Sequence, residues 1–264
     1  MSMPPSTTVD VRMWLGRVAY RGRLPSIVAF AVALWPATHA LAQASHTMHE
    51  STTHEMLEDP FNRAVLLDRL EAGEQDSLHW DFSLWAGRAA NRLTVRSEGE
   101  RRQGATEHAE LQLLWTRPVA RWWDLVAGAR TDFEPGASRN LAAIGVQGLA
   151  PYRFEIEATA FVGQSGAAAA RFEGEYELLV THRLILQPRV ELNWEAQDDP
   201  ARGLGSGLVN IDAGVRLRYE FRREIAPYIG LVRSRRFGGT ADFARAAGYD
   251  TDDTSLVAGI RLRF

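Results

Sequence analysis

"YRFEIEATAFV" spans Tyr152–Val162, and its residues change character at each step as far as Ala160. The even positions, Tyr152, Phe154, Ile156, Ala158, Ala160 and Val162, are apolar, while the odd ones open with Arg153, Glu155, Glu157 and Thr159. Successive side chains of a β-strand point to opposite faces, so this stretch is a strand with one oily and one charged face. Working outward, the pattern recurs. From Ala170 to Val180, Phe172, Tyr176 and Leu178 stand against Arg171, Glu173, Glu175 and Glu177. From Leu184 to Trp194, Leu186, Val190 and Leu192 stand against Gln187, Arg189 and Glu191. From Val209 to Phe221 the apolar set moves to odd positions, opposite Asp212, Arg216 and Arg218. Leu256, Ala258, Ile260, Leu262 and Phe264 alternate to a terminal phenylalanine, the usual ending of bacterial outer-membrane barrels.

Alternation alone serves two folds. A soluble sandwich turns the oily face inward and a membrane barrel turns it outward. Three features favour the barrel. These strands run about 11–14 residues, longer than the usual soluble strand of ~5–6, and ~9–11 tilted residues cross a bilayer. Aromatics (Trp80, Trp115, Trp122, Trp123, Tyr152, Trp194, Tyr219, Tyr228) cluster near strand ends, as an interfacial girdle does. The third feature is the N-terminus. Arg12, Arg17, Arg21 and Arg23 precede an apolar run, Ile27–Trp35, which ends at Pro36 and is followed by Ala40 and Ala42 in A-x-A spacing. This is a secretory leader over residues 1–42, too short in its apolar part to anchor as a helix. It carries Asp10 and those four arginines, so its removal takes the net charge from −3 to about −6. An acidic exported chain excludes nucleic acid as a partner. There is no cysteine, which excludes disulfides, thiolate metal sites and a cysteine nucleophile.

The expected fold is therefore all-β: an antiparallel transmembrane β-barrel in the outer membrane, spanning residues 78–264, with lipid as its outer partner. Short links ("TRPVAR", "GLAPY", "THRL", "RREIAP") alternate with longer ones ("SEGERRQGAT", "FEPGASR", Ala196–Gly207, Phe237–Asp253), as periplasmic turns alternate with surface loops. Counting back from Phe264 gives about nine strands to Glu107. One long strand over Leu78–Val95, bulged near Gly87–Ala90, brings the count to about ten, with about twelve as the alternative. The inward list is rich in arginine and glutamate. Buried charges require partners, so Arg–Glu ladders between neighbouring strands are expected and a wide diffusion pore is not.

Residues 43–77 are expected to form a short periplasmic segment. Asp59 and Pro60 suit a helix start, Phe61, Val65, Leu66, Leu67 and Leu70 supply a stripe, and Gly73 suits a helix end, which predicts one short helix. Ahead of it, His46, Met48, His49, His54 and Met56 concentrate imidazole and thioether in a polar stretch where methionine has no packing role. Thioether suits Cu(I), imidazole suits Cu(II), and nothing about zinc requires methionine. These five residues are the candidate metal ligands and copper the candidate ion. His79 and His108 are expected as strand-end residues and His182 as a turn residue, without a metal role.

Blocks of the chain resemble the outer-membrane copper resistance protein B family: "LLDRLE" (Leu66–Glu71), "WDFSLWAG" (Trp80–Gly87), "RSEGER" (Arg96–Arg101), "AELQLLWTRPVARWWDLVAGAR" (Ala109–Arg130), "IGVQGLAPY" (Ile144–Tyr152), "GLGSGL" (Gly203–Leu208), "LRYEFRREIAPYIG" (Leu217–Gly230) and "FGGTA" (Phe237–Ala241). The resemblance runs from Leu66 to Phe264. It implies an outer-membrane copper-binding protein that sequesters or exports copper beside a periplasmic multicopper oxidase. It supplies no catalytic residue. The chain is expected not to be an enzyme, because no Ser–His or Asp–His pair is evident in the surface-loop segments. The alternative reading is a narrow outer-membrane channel for small solutes.

Overall fold

The computed structural model describes residues 59–264 apart from Gln75 and Pro135. The leader and the His46–Met56 run lie outside the described residues. The strands in chain order are β1 (Asn62–Gly73), β2 (Ser77–Arg88), β3 (Asn91–Arg102), β4 (Ala105–Ala120), β5 (Trp123–Glu134), β6 (Arg139–Ala150), β7 (Phe154–Gly163), β8 (Ala168–Glu175), β9 (Leu178–Leu179), β10 (Leu184–Glu195), β11 (Gly207–Tyr219), β12 (Ile225–Arg236) and β13 (Asp252–Arg263). Each pairs antiparallel with its neighbour. The two-residue β9 continues β8 along the same edge of β10. β10 pairs with β11 and β13 pairs with β1, so the sheet closes on itself as a twelve-strand barrel with one short extra strand. The seam ends in a reciprocal pair, Val65 N–H to Phe264 C=O and Phe264 N–H to Val65 C=O, both 2.8 Å.

Burial decides which face is which. Glu110, Asp132 and Arg218 are 2%, 1% and 2% exposed, while Leu113, Ile229 and Leu256 are 56%, 59% and 62% exposed. A soluble sandwich would show the reverse. Large apolar side chains left outside and charges sealed inside describe a wall built to meet hydrocarbon, so the chain is an outer-membrane β-barrel. Trp122, Tyr152, Phe154, Tyr219 and Phe221 stand exposed beside the turns at the end that holds both the start of β1 and the end of β13. They form the aromatic girdle there, and short turns of such barrels face the periplasm.

The count is twelve, the alternative to the expected ten, and both extra strands lie at the front. Asn62–Gly73 is β1, not a helix, so the barrel begins at 62 rather than 78. The cause is a bulge. Pairing slips between Leu67 and Arg69 against β2, and between Leu67 and Leu70 against β13, leaving Asp68 as an extra residue. Asp68 and Arg69 both turn inward, Asp68 to Arg261 (2.8 Å) and Arg69 to Asp81 (2.9 Å). Outward positions are therefore odd before the bulge (Val65, Leu67) and even after it (Leu70, Ala72). That switch spaces the apolar residues like a helical stripe. The expected long strand over Leu78–Val95 is two strands, β2 and β3, meeting at a turn of Ala89 and Ala90. "SEGERRQGAT" is not a loop either. It is the ends of β3 and β4 around Gln103 and Gly104, whose φ of 49° and 84° match the left-handed pair that a two-residue hairpin needs.

Candidate functional site

The lumen is where the chain keeps its charges, and the pleat puts them there. In β3, Arg96 and Glu98 share one face. In β4 it is Glu110 and Gln112, in β7 Glu157, in β8 Arg171 and Glu173, and in β10 Arg189 and Glu191. Some pairs join neighbouring strands, as expected: Arg130 to Glu110 at 2.7 Å, Arg139 to Asp132 at 2.7 Å and Arg189 to Glu173 at 2.6 Å. Others cross the interior. Arg96 of β3 meets Glu157 of β7 at 2.9 Å, Arg139 of β6 meets Glu195 of β10 at 2.6 Å, and Arg216 of β11 meets Glu71 of β1 at 2.5 Å. Arg171 reaches from β8 to the far wall and holds Glu98 at 3.0 Å and Glu110 at 2.9 Å. The expectation of ladders between adjacent strands is thus extended: the widest pairs are cross-braces. One inner sector is apolar instead. Leu114, Val126, Leu141, Ala143 and Phe161 cluster on the inner wall of β4 to β7, with the Arg130 guanidinium 4.7 Å above the Phe161 ring. Cavities among these groups are small. One of about 60 Å³ lies at the periplasmic mouth, lined by Glu177, Arg218, Arg261 and Arg263, and one of about 10 Å³ lies deeper, beside Arg69, Arg189 and Tyr228.

The opposite mouth is covered on one side. The β10–β11 loop, residues 196–206, is pinned at several points. Gln197 donates to Gly166 C=O at 3.2 Å, Arg202 donates to Ala137 C=O, and Gly205 N–H donates to Thr240 Oγ1 at 2.8 Å. Thr240 belongs to helix α1 (Gly238–Ala246), in the β12–β13 loop. A side chain at Gly205 would put its Cβ 2.5 Å from Gly239 Cα, so the loop lies on the helix only because both positions are glycine. Within this loop the Asp198 carboxylate accepts the Ser206 N–H at 2.6 Å, which holds its pKa below the ordinary carboxylate value. The β1–β2 and β3–β4 connections are tight turns and bring no such cover to their side of the mouth.

All five methionines of the chain fall within residues 1–56, so the barrel holds no thioether and, with no cysteine, no sulfur ligand. His46, Met48, His49, His54 and Met56 lie outside the described residues, and the structure brings none of them to a site. Two histidines set aside in the sequence do face the lumen. His79 Nε2 lies 3.7 Å from Glu98 Oε1, and His108 Nε2 lies 3.2 Å from Glu110 Oε2. Parity would have found them: His79 shares a face with Asp81, and His108 with Glu110. Among the described residues, no three imidazole or carboxylate groups already stand together as a metal site.

Comparison with known proteins agrees with this architecture. Residues 61–264 match the family model described as copper resistance protein B precursor (CopB). The chain is 47% identical over 232 residues to the copper resistance protein B homolog of Pseudomonas syringae pv. tomato, covering 87% of this chain and 78% of that protein. It is 48% identical over 222 residues to copper resistance protein B of Escherichia coli, covering 83% and 72%. Among solved structures, the NanC porin in a rhombohedral crystal form superposes with a TM-score of 0.50 at 13% identity, covering 76% of this chain and 99% of the porin. That likeness is one of fold.

Proposed function

This chain belongs to the copper resistance protein B family, and we propose that it is a non-enzymatic outer-membrane protein whose cargo is copper, held by His46, Met48, His49, His54 and Met56. Membership gives it a role in copper resistance. The finer reading, binding at these five residues that sequesters the ion or hands it on for export, rests on one observation: the chain's soft donors are confined to the segment ahead of the barrel. Thioether and imidazole in one polar stretch accept both Cu(I) and Cu(II). The barrel's carboxylates are largely engaged by arginines, which favours sequestration over bulk flow. A periplasmic multicopper oxidase is the partner this reading calls for, since the segment leads into the periplasmic end of β1.

Replacing all five residues with alanine is expected to remove most bound Cu(I) from the detergent-solubilised protein, with the heat-modifiable gel shift of the barrel intact. The check is a copper titration under controlled reduction. An unchanged Cu(I) stoichiometry would overturn the assignment.

A further inference from the structure

Each turn at the periplasmic end carries an exposed arginine that makes no ion pair among the described residues: Arg88, Arg121, Arg153, Arg183 and Arg222. At the outer end arginines are engaged instead, Arg102 with Glu100 at 2.8 Å, Arg233 with Asp252 at 2.6 Å and Arg245 with Asp242 at 2.6 Å. The free ones sit at headgroup depth, because girdle aromatics are their neighbours: Trp122 follows Arg121, Tyr152 and Phe154 flank Arg153, and Phe221 precedes Arg222. Over β2 to β4 this rim becomes a more specific arrangement. Arg88 pairs directly with Asn91, and Arg117 lies one step past the Arg92–Thr116 pair, on the other side of Asn91. Strand alternation turns all three to the outer face, with Leu84, Leu93 and Leu113. Asn91 Oδ1 accepts the Trp115 Nε1–H at 3.1 Å, which leaves the amide NH2 group to donate between the two arginines. Their strands are ~10 Å apart, twice the ~4.8 Å spacing of neighbours, a gap that two long side chains close over one phosphate. Asp59 shares this turn, but its carboxylate accepts the Ala89 N–H at 3.0 Å and pairs with no arginine. Toward the bilayer centre, Leu84, Leu93 and Leu113 are 40%, 57% and 56% exposed, and Val95 pairs with both Leu84 and Leu113, so the three line one oily strip.

We propose that Arg88, Asn91 and Arg117 bind the phosphate of an anionic phospholipid in the periplasmic leaflet, with its acyl chains along the strip of Leu84, Leu93 and Leu113. Arginine suits a phosphodiester because its planar fork donates two parallel hydrogen bonds. The lipid must be anionic, since a zwitterionic headgroup brings its own cation to the phosphate. An acidic protein is the poorer fit, because these positions face the bilayer and continue into an oily strip rather than toward the periplasm. The site goes beyond the proposed function and uses none of its residues.

The test uses the chain beginning at Gln43, purified in detergent, with phosphatidylglycerol and phosphatidylcholine of the same acyl chains as probes and native mass spectrometry as the readout. One phosphatidylglycerol is expected to stay bound under conditions that strip phosphatidylcholine. Arg88→Gln and Arg117→Gln should each weaken its retention roughly 5-fold, the scale of one arginine at an anionic membrane surface, with the heat-modifiable gel shift unchanged. Arg153→Gln with Arg222→Gln, elsewhere on the rim, should leave the lipid in place. Inorganic phosphate should not displace it, because phosphate has no acyl chain for the strip. Equal retention of the two lipids by the unaltered chain overturns the site before any variant is made. An equal loss in the Arg153→Gln, Arg222→Gln protein overturns it too and assigns the attraction to the rim as a whole, and displacement by phosphate overturns the lipid in favour of a bare anion. The Cu(I) titration above reads other residues, so either proposal can fail while the other stands.

Discussion

A chain shortened to begin at Ser77 will not form a barrel, whereas one beginning at Asp59 will. The first cut removes β1, which hydrogen-bonds β13 on one side and β2 on the other over most of its length. Its loss opens two edges, and a sheet edge in hydrocarbon leaves each unpaired N–H and C=O without a partner at several kcal/mol apiece. It also strips Glu71 from Arg216, Asp68 from Arg261, and Arg69 from Asp81 and Glu98, leaving Arg216 without its carboxylate and thinning the pairing around the others. The second cut removes only residues ahead of β1. The expected result is a heat-modifiable band for the longer chain and none for the shorter one. A folded, membrane-inserted product from the Ser77 chain would contradict the closure and return residues 62–73 to a periplasmic segment outside the barrel.

That experiment probes the place where the sequence was least legible. Tyr152–Val162 declares itself because its period of two holds as far as Ala160, and most of the later strands keep a similar alternation. The front of the barrel hides for two physical reasons. In β1 the bulge at Asp68 moves the oily face from odd to even positions, and a local window sees helical spacing in what is a strand with a step. At the β3–β4 hairpin, both strand ends and the turn are polar: "SEGERRQGAT" lies at its outer end, where the wall need not be oily, so a strand there looks like a loop. The lumenal network was legible as a list of inward charges but not as a map. Arg171 and Glu98 are 73 residues apart, and only closure of the sheet sets them face to face.

Arg171→Ala should weaken and open the barrel at once. Its guanidinium is the brace between β8 and the β3–β4 wall, with Glu98 and Glu110 on its two amino groups and Asn193 Oδ1 accepting from Nε at 3.1 Å. Removing one partner of a buried ion pair costs about 3–5 kcal/mol, because the remaining charge stays buried without compensation. Here Arg69 still reaches Glu98 and Arg130 still reaches Glu110, which places the cost near the lower figure, about 3 kcal/mol. The folded gel band should therefore convert to the unfolded form at a clearly lower temperature. Arg245→Ala is the contrasting case. Its partner Asp242 sits on the exposed face of α1, and such pairs contribute under about 1 kcal/mol, so no shift is expected. Ionic strength separates the two environments as well: raising salt should leave the unaltered barrel nearly as stable, since buried pairs are little screened. The same substitution removes a side chain that spans the lumen, so planar-bilayer recordings should pass from little or no steady current in the unaltered protein to resolvable openings in the variant. Large steady currents before any substitution would favour the narrow-channel reading over sequestration. Unchanged current together with an unchanged melting temperature in the Arg171→Ala protein would show that the cross-braces neither hold the two walls together nor close the path between them.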